Sequence, residues 1–394
     1  MWFLSPRRFG NKNTTRFQPL LVLRVVVILL AATAPVRAAL SAEEAQAFDH
    51  FYSLEYDQAI ALFDSLRNSD PNNPLPHNYA AMAYLYQQLH QAGALHGDLF
   101  SVSNKFFRTK KIQPDPLLDK RFWEANQSAI RICEQRLKKN KQDQVALYAC
   151  GVAYAARATH QGLFERAFLD SMGNARKAND YHARLLRLNP RFYDAYLVPG
   201  IYDFVIGSLP GPLKVLLFFV GVSGDKQRGI HFAETVIQAG ELAKHDAEII
   251  LTVMYRRERR FAEARRTVQN LANAFPRNYI LPLEIASLYR AAEQSREAIR
   301  GYEEVLEEVR RGRPGFDAAP VARIHFELGE LYRKVGDLES ARKHLQLVAG
   351  SRGSTPELEQ ESAALRQQIE EALRQQRADR GQADLSESAP RPSQ

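Results

Sequence analysis

The sequence predicts an all-α protein, a right-handed solenoid of about six stacked antiparallel helix pairs with irregular insertions. The first observation is a repeat, because Tyr255 returns as Tyr289 and Ala264 as Ala298 after the same 34 residues. The second is a further copy of the motif at 328–332. The third is a recurring distance of twelve residues between an Ala and a closing Pro, found for Ala59 and Pro71, Ala178 and Pro190, and Ala264 and Pro276.

These residue types suit close packing of helices. An Ala at the crossing of two helices lets their backbones approach, and a Tyr ring fills the wider space between neighbouring pairs. A small residue and a Tyr on the first helix, an Ala and a large apolar residue on the second, and a closing Pro together resemble the tetratricopeptide repeat. The resemblance implies a stack of pairs at 42–350 with a concave inner face that binds proteins or peptides.

The first 38 residues predict a secretory signal peptide. A basic region precedes an apolar run from Val25 to Ala34, and the small residues around Ala38 suit cleavage. We therefore expect a periplasmic or secreted protein. An uncleaved N-terminal membrane anchor is the second choice, and an organellar transit peptide is the third.

Most of the net charge belongs to this leader. The whole chain carries +8, and no acid precedes Glu43. Removing residues 1–38 removes six positive charges and leaves 8 minus 6, or +2. A chain so near neutrality gives little reason to expect a nucleic-acid partner. The six basic residues are Arg7, Arg8, Lys12, Arg16, Arg24 and Arg37.

Two stretches depart from the repeat and are predicted to be insertions, at 87–122 and 198–229. The first holds a basic run and a Pro-Asp-Pro turn, and the second holds several Gly and Pro residues around a strongly apolar run. Because Leu213 to Val222 is too short to cross a bilayer and Pro residues precede it, we expect this run to pack inside the solenoid.

Residues 206–229 contain an Ile-Gly-Ser-Leu-Pro run and a Gly-Val-Ser-Gly-Asp-Lys turn. They are similar to a segment of the eukaryotic tetratricopeptide repeat protein thirty-nine group. The resemblance implies an interaction protein, with some members of the group linked to lipid bodies, and it supplies no catalytic residue. That group is largely cytosolic, whereas the leader of this chain indicates export.

The C-terminal end predicts a capping helix at 355–378 and a disordered tail at 379–394. Thr355 supplies a helix N-cap and Pro356 suits the first turn. A narrow apolar stripe with a polar opposite face is what the open end of a stack needs for solubility. The stripe consists of Leu358, Leu365, Ile369 and Leu373.

Patterns typical of enzymes and metal sites are missing from the sequence. It contains no His-Glu-x-x-His, no Gly-x-Ser-x-Gly and no Gly-Lys-Ser/Thr phosphate loop. His90 and His96 lack suitably spaced Cys or acidic partners for a metal. The 221–226 turn could bind an anion, but a structural turn between helices explains it better. We predict a non-enzyme without metal or cofactor.

The first helices of the last three repeats are predicted to form a partner-binding groove. An Arg directly follows the Tyr of each repeat, giving a row of guanidinium groups above an apolar floor. This suits an acidic protein or peptide with a few apolar anchors. The alternative is that these arginines pair with acids on neighbouring helices. The nine groove residues are Ile249, Val253 and Arg256, then Leu283, Ser287 and Arg290, then Phe326, Glu330 and Arg333.

Cys133 and Cys150 are the only cysteines and fall in consecutive helices. A turn near Lys141 lies about midway between them, which places both at one height of an antiparallel pair. A disulfide is therefore sterically allowed, and an oxidising compartment would permit it. Free buried thiols are the alternative.

Together these observations predict a non-catalytic, exported scaffold for protein interactions. Two other classes stay open. One is a peripheral membrane or lipid-associated envelope protein that uses the apolar 198–222 segment, and the other is an enzyme with a site formed by the two insertions.

Overall fold

The computed structural model describes residues 40–95, 112–211 and 223–387. The predicted signal peptide and the apolar run from Leu213 to Val222 therefore lie outside the described residues. Within the described ranges the α-helices are α1 Ala42–Tyr52, α2 Tyr56–Ser69, α3 Pro74–Gln91, α4 Pro116–Lys139, α5 Gln144–His160, α6 Phe168–Leu188, α7 Leu197–Gly207, α8 Lys226–Ala239, α9 Lys244–Arg257, α10 Phe261–Ala274, α11 Ile280–Ala291, α12 Ser295–Arg310, α13 Val321–Lys334, α14 Leu338–Gln346 and α15 Pro356–Glu387.

Successive helices pack against one another in pairs, and each pair packs on the next. The all-α stack predicted from the sequence is confirmed, with seven pairs in the described residues, from α1/α2 to α13/α14, followed by α15. The alanines assigned to helix crossings are fully buried at Ala59, Ala264, Ala298 and Ala341.

Tyrosines on first helices tie each pair to the one before. The Tyr154 hydroxyl donates to Glu134 Oε1 at 2.8 Å, and Tyr255 donates to Glu234 Oε1 at 2.6 Å. In both cases the acid lies on the second helix of the preceding pair. The ring therefore fills the space between pairs while its hydroxyl reaches an acid at the rim.

Helix starts follow from local capping. Ser41 and Glu44 form a reciprocal capping box at α1. Asp115 accepts hydrogen bonds from the backbone of Leu117 and Leu118, both at 2.9 Å, and Pro116 opens α4. Helix α4 therefore begins inside the stretch predicted as an insertion, 87–122, and α3 also extends into that stretch, to Gln91.

The stretch at 198–229 includes parts of two helices, because 198–207 belong to α7 and 226–229 to α8, so these parts of the predicted insertion are helical. Its glycines let the two helices cross at close range. A Cβ at Gly200 would lie 3.0 Å from the Gly229 carbonyl oxygen, and one at Gly229 would lie 2.6 Å from the Gly200 oxygen. Arg228 clamps the pair through two bonds to Asp203, at 2.5 and 2.7 Å.

At the C-terminus, α15 continues past the predicted end at 378 and runs to Glu387. The residues from Ala378 onward are mostly good helix formers, which favours this extension. Leu358, Ile369 and Leu373 are buried against α13 and α14, as expected of a cap. The last residues, 388–394, lie outside the described part of the chain.

The first pair also contacts helices far along the chain. Arg277, in the turn before α11, bonds Asp49 at 2.7 Å and Glu55 at 2.8 Å. The Asn278 amide donates to the Tyr52 carbonyl oxygen at 2.7 Å. These contacts hold the α1–α2 turn against the inner side of the fifth and sixth pairs, a packing that the repeat pattern did not predict.

Gly151, on α5, provides a test of the packing between helices. A Cβ there would lie 1.9 Å from Cδ2 of His182, whose ring is buried and hydrogen-bonded to the Tyr148 carbonyl oxygen. We expect Gly151→Ala to lower the free energy of unfolding by about 3 kcal/mol or more, because the imidazole must give up its hydrogen bond with the Tyr148 carbonyl oxygen to make room for the methyl group.

The matched control is Gly173→Ala on the exposed side of α6, where a Cβ would meet nothing within 4 Å. This change should raise stability by about 0.5–1 kcal/mol through helix propensity. Urea unfolding of both variants measures these two changes in stability. Equal effects would contradict the described crossing of α5 and α6.

Candidate binding site

The inner helices enclose a cavity of about 160 Å³. Five first helices contribute to its wall, from α1 to α9. Most of the wall is apolar, which follows from the run of small and apolar residues that the sequence places on α3. Representative lining residues are Phe51, Met82, Val152, Ile201 and Ile250.

A second cavity, of about 120 Å³, lies between the first pair and helices α9 to α11. Phe51 and Tyr86 line both cavities, and their ring centroids are 5.4 Å apart. These two rings therefore form a shared wall. Ile249 and Val253, predicted to face an open groove, line this second cavity instead.

Asp194 lines the first cavity but has its own structural role. Its Oδ1 accepts backbone hydrogen bonds from Glu241, Leu242 and Ala243 at 2.8–2.9 Å, at the turn that opens α9. Burial raises the pKa of Asp194, and these three donors oppose the rise. The carboxylate thus ties the turn before α7 to the start of α9.

Asp246, on α9, is less completely paired. The Tyr52 hydroxyl donates to its Oδ1 at 2.9 Å. Burial raises the pKa of Asp246 to about 6, although the bond from Tyr52 lowers it. A carboxyl group that is largely withdrawn from water and holds a single strong donor keeps its proton to a higher pH than an exposed one.

The raised pKa gives Asp246 a defined pH signature. Its pKa is higher in the folded protein than the ordinary value of 3.8, so its contribution to stability is full below about pH 4 and is lost as pH rises through about 6. Asp246→Asn should therefore be more stable than wild type at pH 7.5 by roughly 1–2 kcal/mol, a value discounted because the cavity leaves the carboxyl partly exposed.

Urea unfolding of both proteins at pH 4 and pH 7.5 measures this difference directly. Comparison within one pH removes the contributions of the other acids, which both proteins share. A variant that is less stable than wild type at pH 7.5 would show that the carboxylate is stabilised in its charged form.

The predicted arginine row forms a ladder of ionic contacts between pairs. Arg256 on α9 bonds Glu284 of α11 at 2.6 Å and Ser287 at 3.0 Å. Arg290 on α11 bonds Glu327 of α13 and lies 4.0 Å from Glu330. For these two arginines the structure has the pairing with neighbouring acids that the sequence left as the alternative.

The remaining groove residues divide between the core and the surface. Leu283 and Phe326 are buried and belong to the packing of their pairs rather than to an open floor. Arg333, the third arginine of the row, is exposed near the end of α13. The structure thus brings the nine residues into one series of inner helices, but only its far end faces solvent.

The ladder makes the three arginines unequal in burial. The side chains of Arg256 and Glu284 are only 8% and 13% exposed. We expect Arg256→Ala to lower the free energy of unfolding by about 2–4 kcal/mol, because it leaves a nearly buried carboxylate without its partner.

Arg333→Ala is the matched control, since it removes the same side chain at the equivalent position of a later repeat. Its effect should stay within about 0.5 kcal/mol. Thermal or urea unfolding measures the stability of the two variants. Equal stability would mean that the contact between Arg256 and Glu284 contributes nothing to the free energy of unfolding.

The two cysteines are joined in a disulfide, with their Cα atoms 5.6 Å apart. Cys133 lies on α4 and Cys150 on α5. Both are fully buried beside Leu185. The bond therefore fastens the second pair to the third within the core.

His160 and the two carboxylates near it form the arrangement of described side chains that most resembles an enzyme site. Its Nε2 lies 2.6 Å from Asp119 and its Nδ1 3.3 Å from Glu165. The ring is 1% exposed and stacks on Phe122 at 4.4 Å. Burial lowers the pKa of His160, and Asp119 opposes this. The Nε2 atom joins the end of α5 to the start of α4 through Asp119, whereas the buried Nδ1 lies near Glu165 without a hydrogen-bond partner among the described residues.

Within residues 40–95, 112–211 and 223–387 the structure has neither a membrane-spanning helix nor a cluster of metal-binding side chains. No helix there is both long and apolar enough to cross a membrane. No group of three or more His, Cys, Asp or Glu side chains there is arranged to hold a metal ion. Gly224 and Lys226 flank Asp225, whose carboxylate accepts hydrogen bonds from the N–H groups of Gln227 and Arg228 in the first turn of α8, which is the capping expected of a structural turn.

Sequence reasoning did not find the cavity residues. Tyr79 and Asp246 belong to no motif, and their shared position depends on helices that are far apart in the chain. The one available signal was the nearly all-apolar character of α3, which indicated a helix surrounded on most sides.

Comparisons with known proteins give no family. No family model matches the chain, and no curated protein matches it. Among solved structures, it is similar to the Cut9–Hcn1 hetero-tetramer of the APC/C, with 15% identity over 83% of this chain and 49% of that one and a TM-score of 0.42. The chain thus spans about half the length of that protein.

Two further similar structures are smaller. One is PilW, a widely conserved type IV pilus biogenesis factor, with 12% identity over 60% of this chain and 91% of that one and a TM-score of 0.40. The other is a tetratricopeptide repeat protein from Parabacteroides merdae, with 15% identity over 82% and 97% and a TM-score of 0.33. Likeness at this level carries no argument about this chain, so the assignment of tetratricopeptide-like pairs rests on its own repeat and packing.

Proposed function

We propose that this chain is a non-catalytic scaffold, exported from the cytoplasm, that binds an acidic protein or peptide at the end of its arginine ladder. The observation that carries the proposal is the exposed Arg333. Arg256 and Arg290 each bond an acid of the following pair, whereas Arg333 occupies the equivalent position and faces solvent.

A partner carboxylate would extend the ladder by one contact. The guanidinium group offers two parallel N–H donors that match a carboxylate, which gives direction as well as affinity. Val335, 42% exposed, lies two residues further on at the same end of α13 and offers an apolar surface. The partner chemistry that we propose is therefore an acidic side chain with a small apolar residue in its vicinity.

Export is supported by two features that do not depend on each other. The leader has the basic and apolar regions of a secretory signal. The chain also places its only two cysteines at bonding distance, which suits an oxidising compartment.

The test compares capture of partners from the envelope fraction of the source cells by the full chain and by Arg333→Glu. We expect the charge reversal to reduce capture at least about tenfold at low salt, because it replaces an attractive contact by a repulsive one. The recovered partner is identified and quantified by mass spectrometry.

Arg300→Glu is the control, since it makes the same charge change at an exposed position on the second helix of the sixth pair. It should leave capture unchanged. Equal capture by wild type and Arg333→Glu would remove the end of the ladder as the binding site.

A further inference from the structure

We propose that the first cavity binds a small, uncharged and mainly apolar molecule that brings one hydrogen-bond acceptor to the Tyr79 hydroxyl. This goes beyond the scaffold function and uses a different part of the molecule. The cavity lies among the first five pairs, whereas Arg333 lies on the seventh.

The size of the cavity sets the scale of the ligand. Its volume of about 160 Å³ is close to that of an engineered apolar cavity of about 150 Å³ that holds benzene. Aromatic and aliphatic side chains form most of its wall. A molecule of one substituted ring fills such a space and gains the free energy of leaving water.

Tyr79 supplies the polar contact. Its side chain lines the cavity and is only 8% exposed, yet its hydroxyl has no hydrogen-bond partner among the described residues. Burial raises the pKa of Tyr79, so the hydroxyl remains a donor. A buried donor without an acceptor costs free energy, and a ligand acceptor would remove that cost.

The charges around the cavity select against anions. Asp194 and Asp246 line it, and no Lys or Arg is among its described lining residues. His182 also lines it, but burial lowers the pKa of His182 to about 4, so its ring is neutral. A carboxylate ligand would meet two acids and no cation, which disfavours fatty acids and aromatic acids.

A matched series of one-ring probes tests the assignment on the full chain by titration calorimetry. Acetophenone carries a carbonyl acceptor, ethylbenzene has nearly the same shape without one, benzoate is an anion and benzylamine is a cation. We expect acetophenone to bind more tightly than ethylbenzene by about fivefold, the value of one neutral hydrogen bond, and benzoate not to bind. Benzylamine should bind more weakly than acetophenone, because an ammonium group cannot accept a hydrogen bond from the Tyr79 hydroxyl, and Asp194 and Asp246 already hold donors of the protein.

Tyr79→Phe separates the hydrogen bond from the rest of the site. It should weaken acetophenone about fivefold and leave ethylbenzene unchanged, so that the two probes bind alike. Its unfolding midpoint should not fall, because it removes an unpaired buried hydroxyl. A fall would show that the hydroxyl already has a structural partner and would overturn the proposal.

Val152→Phe fills the cavity from α5 and should abolish binding of both neutral probes. Its unfolding midpoint and circular dichroism show whether it folds. If this variant does not fold, the binding of acetophenone and ethylbenzene to Tyr79→Phe still tests the proposal. The proposal is also overturned if no neutral probe binds the wild type, if benzoate or benzylamine binds more tightly than acetophenone, or if Tyr79→Phe weakens both neutral probes equally.

Discussion

The contact between the α1–α2 turn and the turn before α11 is the constraint on which the interior depends. Arg277 reaches two acids of the first pair, and Asn278 satisfies the Tyr52 carbonyl oxygen. A stack of helix pairs by itself has an open concave face. Here the first pair covers that face at the fifth and sixth pairs. The first pair and the inner helices consequently line two partly open cavities, and Ile249 and Val253 of the predicted groove line the second of them.

Polar groups placed in this interior differ in how far their hydrogen bonds are satisfied. Asp194 holds three backbone donors and acts as a fastening between elements. Asp246 has the Tyr52 hydroxyl, and Tyr79 has no partner among the described residues. Since an unpaired buried group is costly, the least satisfied group is where a ligand gains most. This ordering connects the packing of the array with its candidate ligand chemistry.

Repetition gives one residue type different roles along the chain. Arginines that follow the repeat tyrosine lie at equivalent positions, but the acid that each one meets comes from the next pair. Arg256 is therefore enclosed, Arg290 is half-buried, and Arg333 is exposed. An ionic contact shared between pairs stabilises the stack internally, and the same side chain at its end becomes a surface for recognition.

The sequence by itself determined the helix pairs, their small residues at crossings and the cap at α15, because these follow from contacts between residues about one repeat apart. It also placed Cys133 and Cys150 at one height, since a single turn joins their helices. Tertiary structure alone decided that Gly200 and Gly229 form a helix crossing rather than a break, and that Ile249 faces a cavity. Those outcomes depend on which distant surfaces meet. Tyr52 and Asn278 are in contact although they lie more than two hundred residues apart. This contact leaves no local pattern in the sequence, because the packing and hydrogen bonds that stabilise it exist only once the array has formed.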